Sequence, residues 1–232
     1  MALDFSKYTV PEARPLPVFL LLDNSGSMCG EKIGSLNRAV NEMIETFKSL
    51  ANKEIDINLG IITFGASVDY QLQLQSVKEI QNIQLGASGS TPMGTALRMA
   101  KDLIEDKDVI PSKGYRPAVV LVSDGEPNDD WQEPMEAFVS SGRSAKCDRF
   151  AIAIGEDANR NVLEMFLKGT ENPVYEAADA SKIKDCFNMV TMSVSVRSQS
   201  KDPNKVMALP EGAAAISSDD DFMAKLDALL GD

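Results

Sequence analysis

Apolar positions in this chain follow two rhythms, short unbroken runs and stripes recurring every three to four residues, and the two alternate along most of its length. The first run, Val18-Phe19-Leu20-Leu21-Leu22, ends in Asp23-Asn24-Ser25-Gly26-Ser27-Met28. An apolar run bounded by a polar, glycine-containing turn suits a buried parallel strand, and Pro15 and Pro17 just upstream argue against a helix. Behind it, Ile33, Leu36, Val40, Met43, Ile44, Phe47 and Leu50 keep a helical period over about five turns. Ile55 to Phe64 reads as a second buried strand. The alternation of Val68, Tyr70, Leu72 and Leu74 predicts an antiparallel edge strand.

The loop Gly86-Ala87-Ser88-Gly89-Ser90-Thr91-Pro92 comes next, with Ala96, Leu97, Ala100, Leu103 and Ile104 behind it at helical spacing. Pro92 suits a first helical position, which puts the Thr91 hydroxyl on an exposed loop end. Ala118 to Val122 is a third apolar run, closed by Ser123 and Asp124. A helix from Trp131 to about Ser141, a strand Phe150 to Ile154, a helix Val162 to Leu167, a short strand Val174-Tyr175 and a helix from Ser181 to about Val196 complete the pattern. This alternation predicts an α/β fold of three layers, doubly wound, with a mostly parallel sheet, one antiparallel edge strand and helices on both faces. Ligands of such sheets bind outside the carboxyl ends of the strands, where Asp23 and Asp124 fall. The domain is expected at residues 16–197, between an N-terminal arm (1–15) and an acidic tail (198–232). In the tail Phe222, Leu226, Leu229 and Leu230 predict a short amphipathic helix, with Ser217-Ser218-Asp219 as its cap.

Composition narrows the function. A net charge of −12 and 6% aromatic residues argue against a nucleic-acid or anionic-membrane partner, since phosphates demand clustered Lys and Arg. No basic leader opens the chain, and no apolar run approaches the ~18 residues of a membrane span. Cys29, Cys147 and Cys186 are an odd, widely spaced set, and there is no histidine, so neither a disulfide framework nor a zinc site is readable. A cytoplasmic location is the expectation.

The candidate chemistry lies in oxygen ligands. Asp23, Ser25 and Ser27 alternate on one loop, Thr91 sits on a second and Asp124 on a third. Oxygen donors suit a hard divalent cation, Mg²⁺ first, with Mn²⁺ and Ca²⁺ as alternatives. Two carboxylates balance the ion's charge, and neutral hydroxyls leave it electrophilic toward an Asp or Glu from a protein partner. Two competing motifs fail. The acids from Asp124 onward put Asp129 where a calcium loop needs Gly and Met135 where it needs Glu; Asp129 and Asp130 read instead as caps for the helix at Trp131. Gly26 to Lys32 lacks the spacing of a phosphate-binding loop.

Asp-x-Ser-x-Ser at Asp23 to Ser27, Gly-Ser-Thr-Pro-Met-Gly at Gly89 to Gly94 and Ser-Asp-Gly at Ser123 to Gly125 resemble, in order and spacing, the three pieces of a von Willebrand factor type A domain. The resemblance covers residues 16 to about 196 and implies a metal-ion-dependent adhesion site made of Asp23, Ser25, Ser27, Thr91 and Asp124. Gly26, Met28, Pro92, Glu126 and Asn128, which flank these ligands, are expected to contact the partner. Pro17 to Met28 and Asp124 to Trp131 further resemble the bacterial tellurium-resistance-associated, TerY-like group. That group implies an intracellular scaffold in stress or defence systems, working with a protein kinase and a metal-dependent phosphatase. The expected function is therefore a non-enzymatic, metal-dependent protein-interaction module. The alternative is a Mg²⁺-dependent phosphohydrolase with Asp23 as nucleophile, a chemistry that wants a second acid two residues on, where this chain carries Ser25.

Overall fold

In the computed structural model, which describes residues 14–50 and 55–199 with positions 204, 224, 225 and 228, the apolar runs become the inner strands of one sheet. The strands are β1 (Arg14–Asp23), β2 (Ile55–Phe64), β3 (Val68–Ser76), β4 (Ala118–Ser123), β5 (Asp148–Ile154) and β6 (Val174–Ala177), in the order β3-β2-β1-β4-β5-β6. Only the β2–β3 pair is antiparallel; the other neighbours run parallel. The helices are α1 (Glu31–Leu50), α2 (Met93–Glu105), α3 (Gln132–Ser140), α4 (Arg160–Leu167) and α5 (Ile183–Gln199).

The β1 side chains divide between two cores. Leu16, Val18, Leu20 and Leu22 pack toward α1 and α5, while Phe19 and Leu21 pack toward α2, α3 and α4. A strand covered on both faces has no polar side to show, which is why its sequence reads as an unbroken apolar run. The chain winds from β1 outward to β2 and β3 on one side and from β4 outward to β5 and β6 on the other. The winding reverses between β1 and β4, and such a switch point opens a crevice at the carboxyl ends of the two strands. Asp23 and Ser123 are those ends.

The structure revises several boundaries. β1 begins at Arg14, inside the segment read as an arm, and it tolerates Pro15 and Pro17 although it is central. The Pro15 carbonyl accepts a bond from the Tyr115 N–H at 3.0 Å. A strand residue points its N and O to the same side, so the missing proline N–H groups face the segment before β4, whose pairing starts only at Val18↔Ala118. The β2 side of the ladder loses nothing. β5 begins at Asp148, ahead of the apolar run, and draws Asp148 and Arg149 into the interior. Arg149 donates to the carbonyls of Phe166 (2.8 Å), Lys168 (2.6 Å) and Ala145 (3.0 Å), closing the exposed ends of two helical segments. Asp148 pairs with Arg197 of α5 at 3.5 Å, with both side chains 2% exposed. This buried polar group lies at the amino ends of the strands, opposite Asp23.

The arm before Arg14 and the tail helix read around Phe222 lie outside the described residues, apart from helical positions 224, 225 and 228. No helix among the described residues is long and apolar enough to cross a membrane.

Candidate metal centre

The parallel register aligns Leu22 with Val122, so Asp23 and Ser123 emerge side by side at the switch point. The Ser123 hydroxyl donates to Oδ2 of Asp23 at 2.6 Å, and the Ser25 N–H donates to its Oδ1 at 2.9 Å. Both oxygens of a fully buried carboxylate are thereby oriented. The chain then turns through one 3-10 turn, Gly26–Met28, closed by the Met28 N–H on the Ser25 carbonyl at 3.1 Å. That turn brings the Ser25 and Ser27 hydroxyls to 2.9 Å, and Ser27 donates to Oδ1 of Asp124 at 2.7 Å. A chain of oxygens thus crosses from the first loop to the third. Ser25 and Asp124 are buried and Ser27 is exposed, so the cluster opens on one side only.

Backbone contacts bring the second loop against both others. The Gly26 N–H donates to the Gly89 carbonyl at 3.0 Å and the Ser88 N–H to the Asn24 carbonyl at 2.8 Å. Gly89 has φ +80°, and a Cβ there would stand 2.3 Å from Ala66 Cα, so no larger residue fits this crossing. Thr91 is joined to the third loop twice: the Asn128 N–H donates to its carbonyl at 3.1 Å, and its own N–H donates to Asn128 Oδ1 at 3.2 Å. Against expectation the threonine is only 7% exposed, because Asn128 closes over it. Its hydroxyl has no hydrogen-bond partner among the described residues.

Pro92 precedes the first helical residue, Met93, rather than occupying that position. Asp129 does cap a helix, but the helix is α2: its carboxylate accepts the N–H groups of Gly94 (2.9 Å) and Thr95 (2.8 Å) and the Thr95 hydroxyl (2.9 Å). α3 begins at Gln132 without a side-chain cap. Gly94 lets the loops meet, since a Cβ there would lie 2.6 Å from Trp131 Cα.

Among the flanking residues, Met28 is fully buried and packs into the α1–α5 side of the core, so it anchors the loop and presents nothing to a partner. Gly26, Glu126 and Asn128 are exposed and Pro92 is half-buried. Glu126 accepts a bond from Asn159 at 2.8 Å, which ties the third loop to the β5–α4 loop. Exposed Cys29 donates to the Ala87 carbonyl at 3.4 Å.

Electrostatics at the cluster are unbalanced. Burial pushes the Asp23 carboxyl above its ordinary range, and the Asp124 charge adds to that, while hydrogen bonds from Ser123 and Ser25 work against it. The one cation in contact with these acids among the described residues is Lys32, whose ammonium lies 2.6 Å from Oδ2 of Asp124. The sequence pattern alone assigns Lys32 no role. Its signal was a lysine in the first turn of α1, where the helix dipole disfavours positive charge. Among the described residues no group of three or more His, Cys, Asp or Glu is placed to hold a metal ion by itself. The donors at this edge are hydroxyl and carboxylate oxygens, a set that fits a hard divalent cation.

A model of the von Willebrand factor type A domain matches residues 18–189. Human inter-alpha-trypsin inhibitor heavy chain H6 is 25% identical over 208 residues, covering 81% of this chain and 16% of that protein. The curated relatives matched are much longer, and the chain spans 16–29% of their lengths. Among solved structures, the ArnB paralog VWA2 from Sulfolobus acidocaldarius superposes with a TM-score of 0.58 at 17% identity, over 78% of this chain and 46% of that one. Proximal thread matrix protein 1 from the mussel byssus, in a form with a zinc-occupied MIDAS motif, gives a TM-score of 0.57 at 16% identity, over 78% of this chain and 48% of that one.

Proposed function

The chain belongs to the von Willebrand factor type A domain family, and on that premise we propose that it is a metal-dependent protein-interaction module whose ion is held by Asp23, Ser25, Ser27, Thr91 and Asp124. The observation that carries this reading is the oxygen chain Ser25–Ser27–Asp124, which links two loops beside the oriented carboxylate of Asp23. When bound, the ion supplies a Lewis-acidic position for a partner's Asp or Glu. The protein supplies the rest. Ser123 and the Ser25 N–H fix Asp23, Asn128 holds the Thr91 backbone, and the buried side of the cluster excludes water while Ser27 marks the open side. Gly26, Pro92, Glu126 and Asn128 form the rim that meets the partner.

Mg²⁺ is the ion of this reading, ahead of Mn²⁺ and Ca²⁺, because a site with two carboxylates, hydroxyls and a remaining water position suits its small octahedral shell. The setting is a cytoplasmic scaffold of the tellurium-resistance, stress or defence type, acting beside a kinase and a phosphatase. Its support is the sequence similarity over Pro17 to Met28 and Asp124 to Trp131, together with three free thiols. Capture ranks above phosphate-ester turnover because Ser25 stands where the leaving-group acid is wanted and its hydroxyl is engaged with Ser27.

The test is affinity capture from a lysate with Mg²⁺ or with a chelator, using wild-type protein and the Asp23→Ala/Ser25→Ala variant. Proteins retained only by wild type with Mg²⁺ support the reading. Retention unchanged by chelation and by the double substitution contradicts it.

A further inference from the structure

The ammonium of Lys32 reaches from the first turn of α1 to a carboxylate 92 residues away in sequence. Asp124 is enclosed: its side chain is 0% exposed, Ser27 holds Oδ1 at 2.7 Å and Lys32 holds Oδ2 at 2.6 Å. An unpaired carboxylate in that position is costly, so a positive charge must attend it. Lys32 also sits where the α1 dipole opposes it, so its location is compensated by this contact. The lysine, unlike its partner, is not enclosed. Its side chain is 29% exposed, and the neighbouring turn residue is Gly155, where even an added Cβ would stand 3.7 Å from the ammonium. The amine therefore has both a partner in the site and room to leave it.

We propose that Lys32 is a tethered cation that shares Asp124 with the divalent ion, so that ion binding displaces the ammonium and the lysine sets the ion concentration at which the site fills. The proposal rests on the ion-site reading above and names its regulation. A dication approaching Asp124 meets a like charge held at hydrogen-bond distance from the same carboxylate, and the repulsion is strengthened because that carboxylate is enclosed. The ammonium keeps the loops assembled without the ion, since it supplies part of the charge that Asp124 requires. Capture then depends on the level of free ion instead of being permanently engaged. Loss of the lysine charge, by substitution or by acetylation, releases the competition.

Two measurements test this on the full chain. Free Mn²⁺ is titrated by electron paramagnetic resonance against wild type, Lys32→Met, Lys32→Gln and Ser25→Ala, with circular dichroism to check folding. The charge-removing variants are expected to bind Mn²⁺ roughly tenfold or more tighter than wild type, the scale of one charge-assisted hydrogen bond, and Ser25→Ala more weakly. Amine-directed acetylation read by mass spectrometry is expected to label Lys32 faster when Mg²⁺ saturates wild type, with Lys48 as an unaffected reference. If wild type binds Mn²⁺ but the Lys32 variants bind equally or less tightly, the lysine serves to hold Asp124 in place and the competition is overturned. If neither wild type nor the Lys32 variants bind Mn²⁺, the ion-site reading itself fails and this proposal goes with it.

Discussion

Ser123, the last residue of β4, donates its hydroxyl to Oδ2 of Asp23, the last residue of β1, at 2.6 Å across the switch point of the sheet. The contact fixes the carboxylate proposed as a ligand through a side chain outside the proposed ligand set. Replacing Ser123 by Ala removes that support and leaves Asp23 in surroundings that already disfavour its charge. Ion affinity is expected to fall by about 10–100-fold, the range for residues that orient metal ligands, with Ser123→Thr restoring it. Isothermal titration with Mg²⁺ reads the effect.

Asp129 accepts the first N–H groups of α2, whereas the carboxylate of the neighbouring Asp130 makes no such bond among the described residues. Asp129→Ala should cost about 1 kcal/mol, the usual loss for a helix cap, and lower Tm by roughly 2–4 °C. Asp130→Ala should leave Tm unchanged. Thermal denaturation of the two variants side by side makes the comparison.

The carboxyl end of α2 bears a pH-sensitive contact. Burial disfavours the Glu105 carboxylate, yet N–H groups of Ser144 and Arg143 and the charge of Lys101 outweigh it and hold its pKa below the ordinary value. A carboxyl depressed in the folded state contributes stability above its unfolded pKa, near 4.3, and loses it as pH falls through the folded value. Wild type should therefore be more stable than Glu105→Gln at pH 7, with the gap closing below about pH 4. Urea unfolding at both pH values measures the gap.

At the other end of the sheet, Arg197→Met strands the buried Asp148 and removes a bond to the Arg116 carbonyl. Breaking a buried pair from one side costs about 3–5 kcal/mol. The Asp148→Asn/Arg197→Met double variant should recover part of that loss, because no charge is left unpaired. Chemical denaturation of the single and double variants gives both values.

How much of this could be read from the sequence follows from physical range. β1 and β4 were legible because strands buried on both faces are written as apolar runs, and their carboxyl ends are where an α/β sheet offers ligands. Ser25 and Ser27 were legible because their alternation with Asp23 is local. Met28 reads as a rim residue because it lies in a polar loop, and only the turn reveals that its side chain points into the core. The partners of Lys32 and Asp129 lie 92 and 34–35 residues away, so no local pattern marks them. Asp148 and Arg149 fall outside the strand read from Phe150 because a charged pair breaks the apolar run, and most of its partners, the end of α4, Asn172 and Arg197 of α5, lie well along the chain.

The proposed ion sits where these loops converge. Crystals grown with Mn²⁺ and measured for anomalous scattering test it most directly. A peak bounded by the Ser25 and Ser27 hydroxyls, Asp23, Thr91 and Asp124 is expected, lost in Asp23→Ala/Ser25→Ala. A peak confined to the acids from Glu126 to Asp130, or none at saturating Mn²⁺, would contradict it.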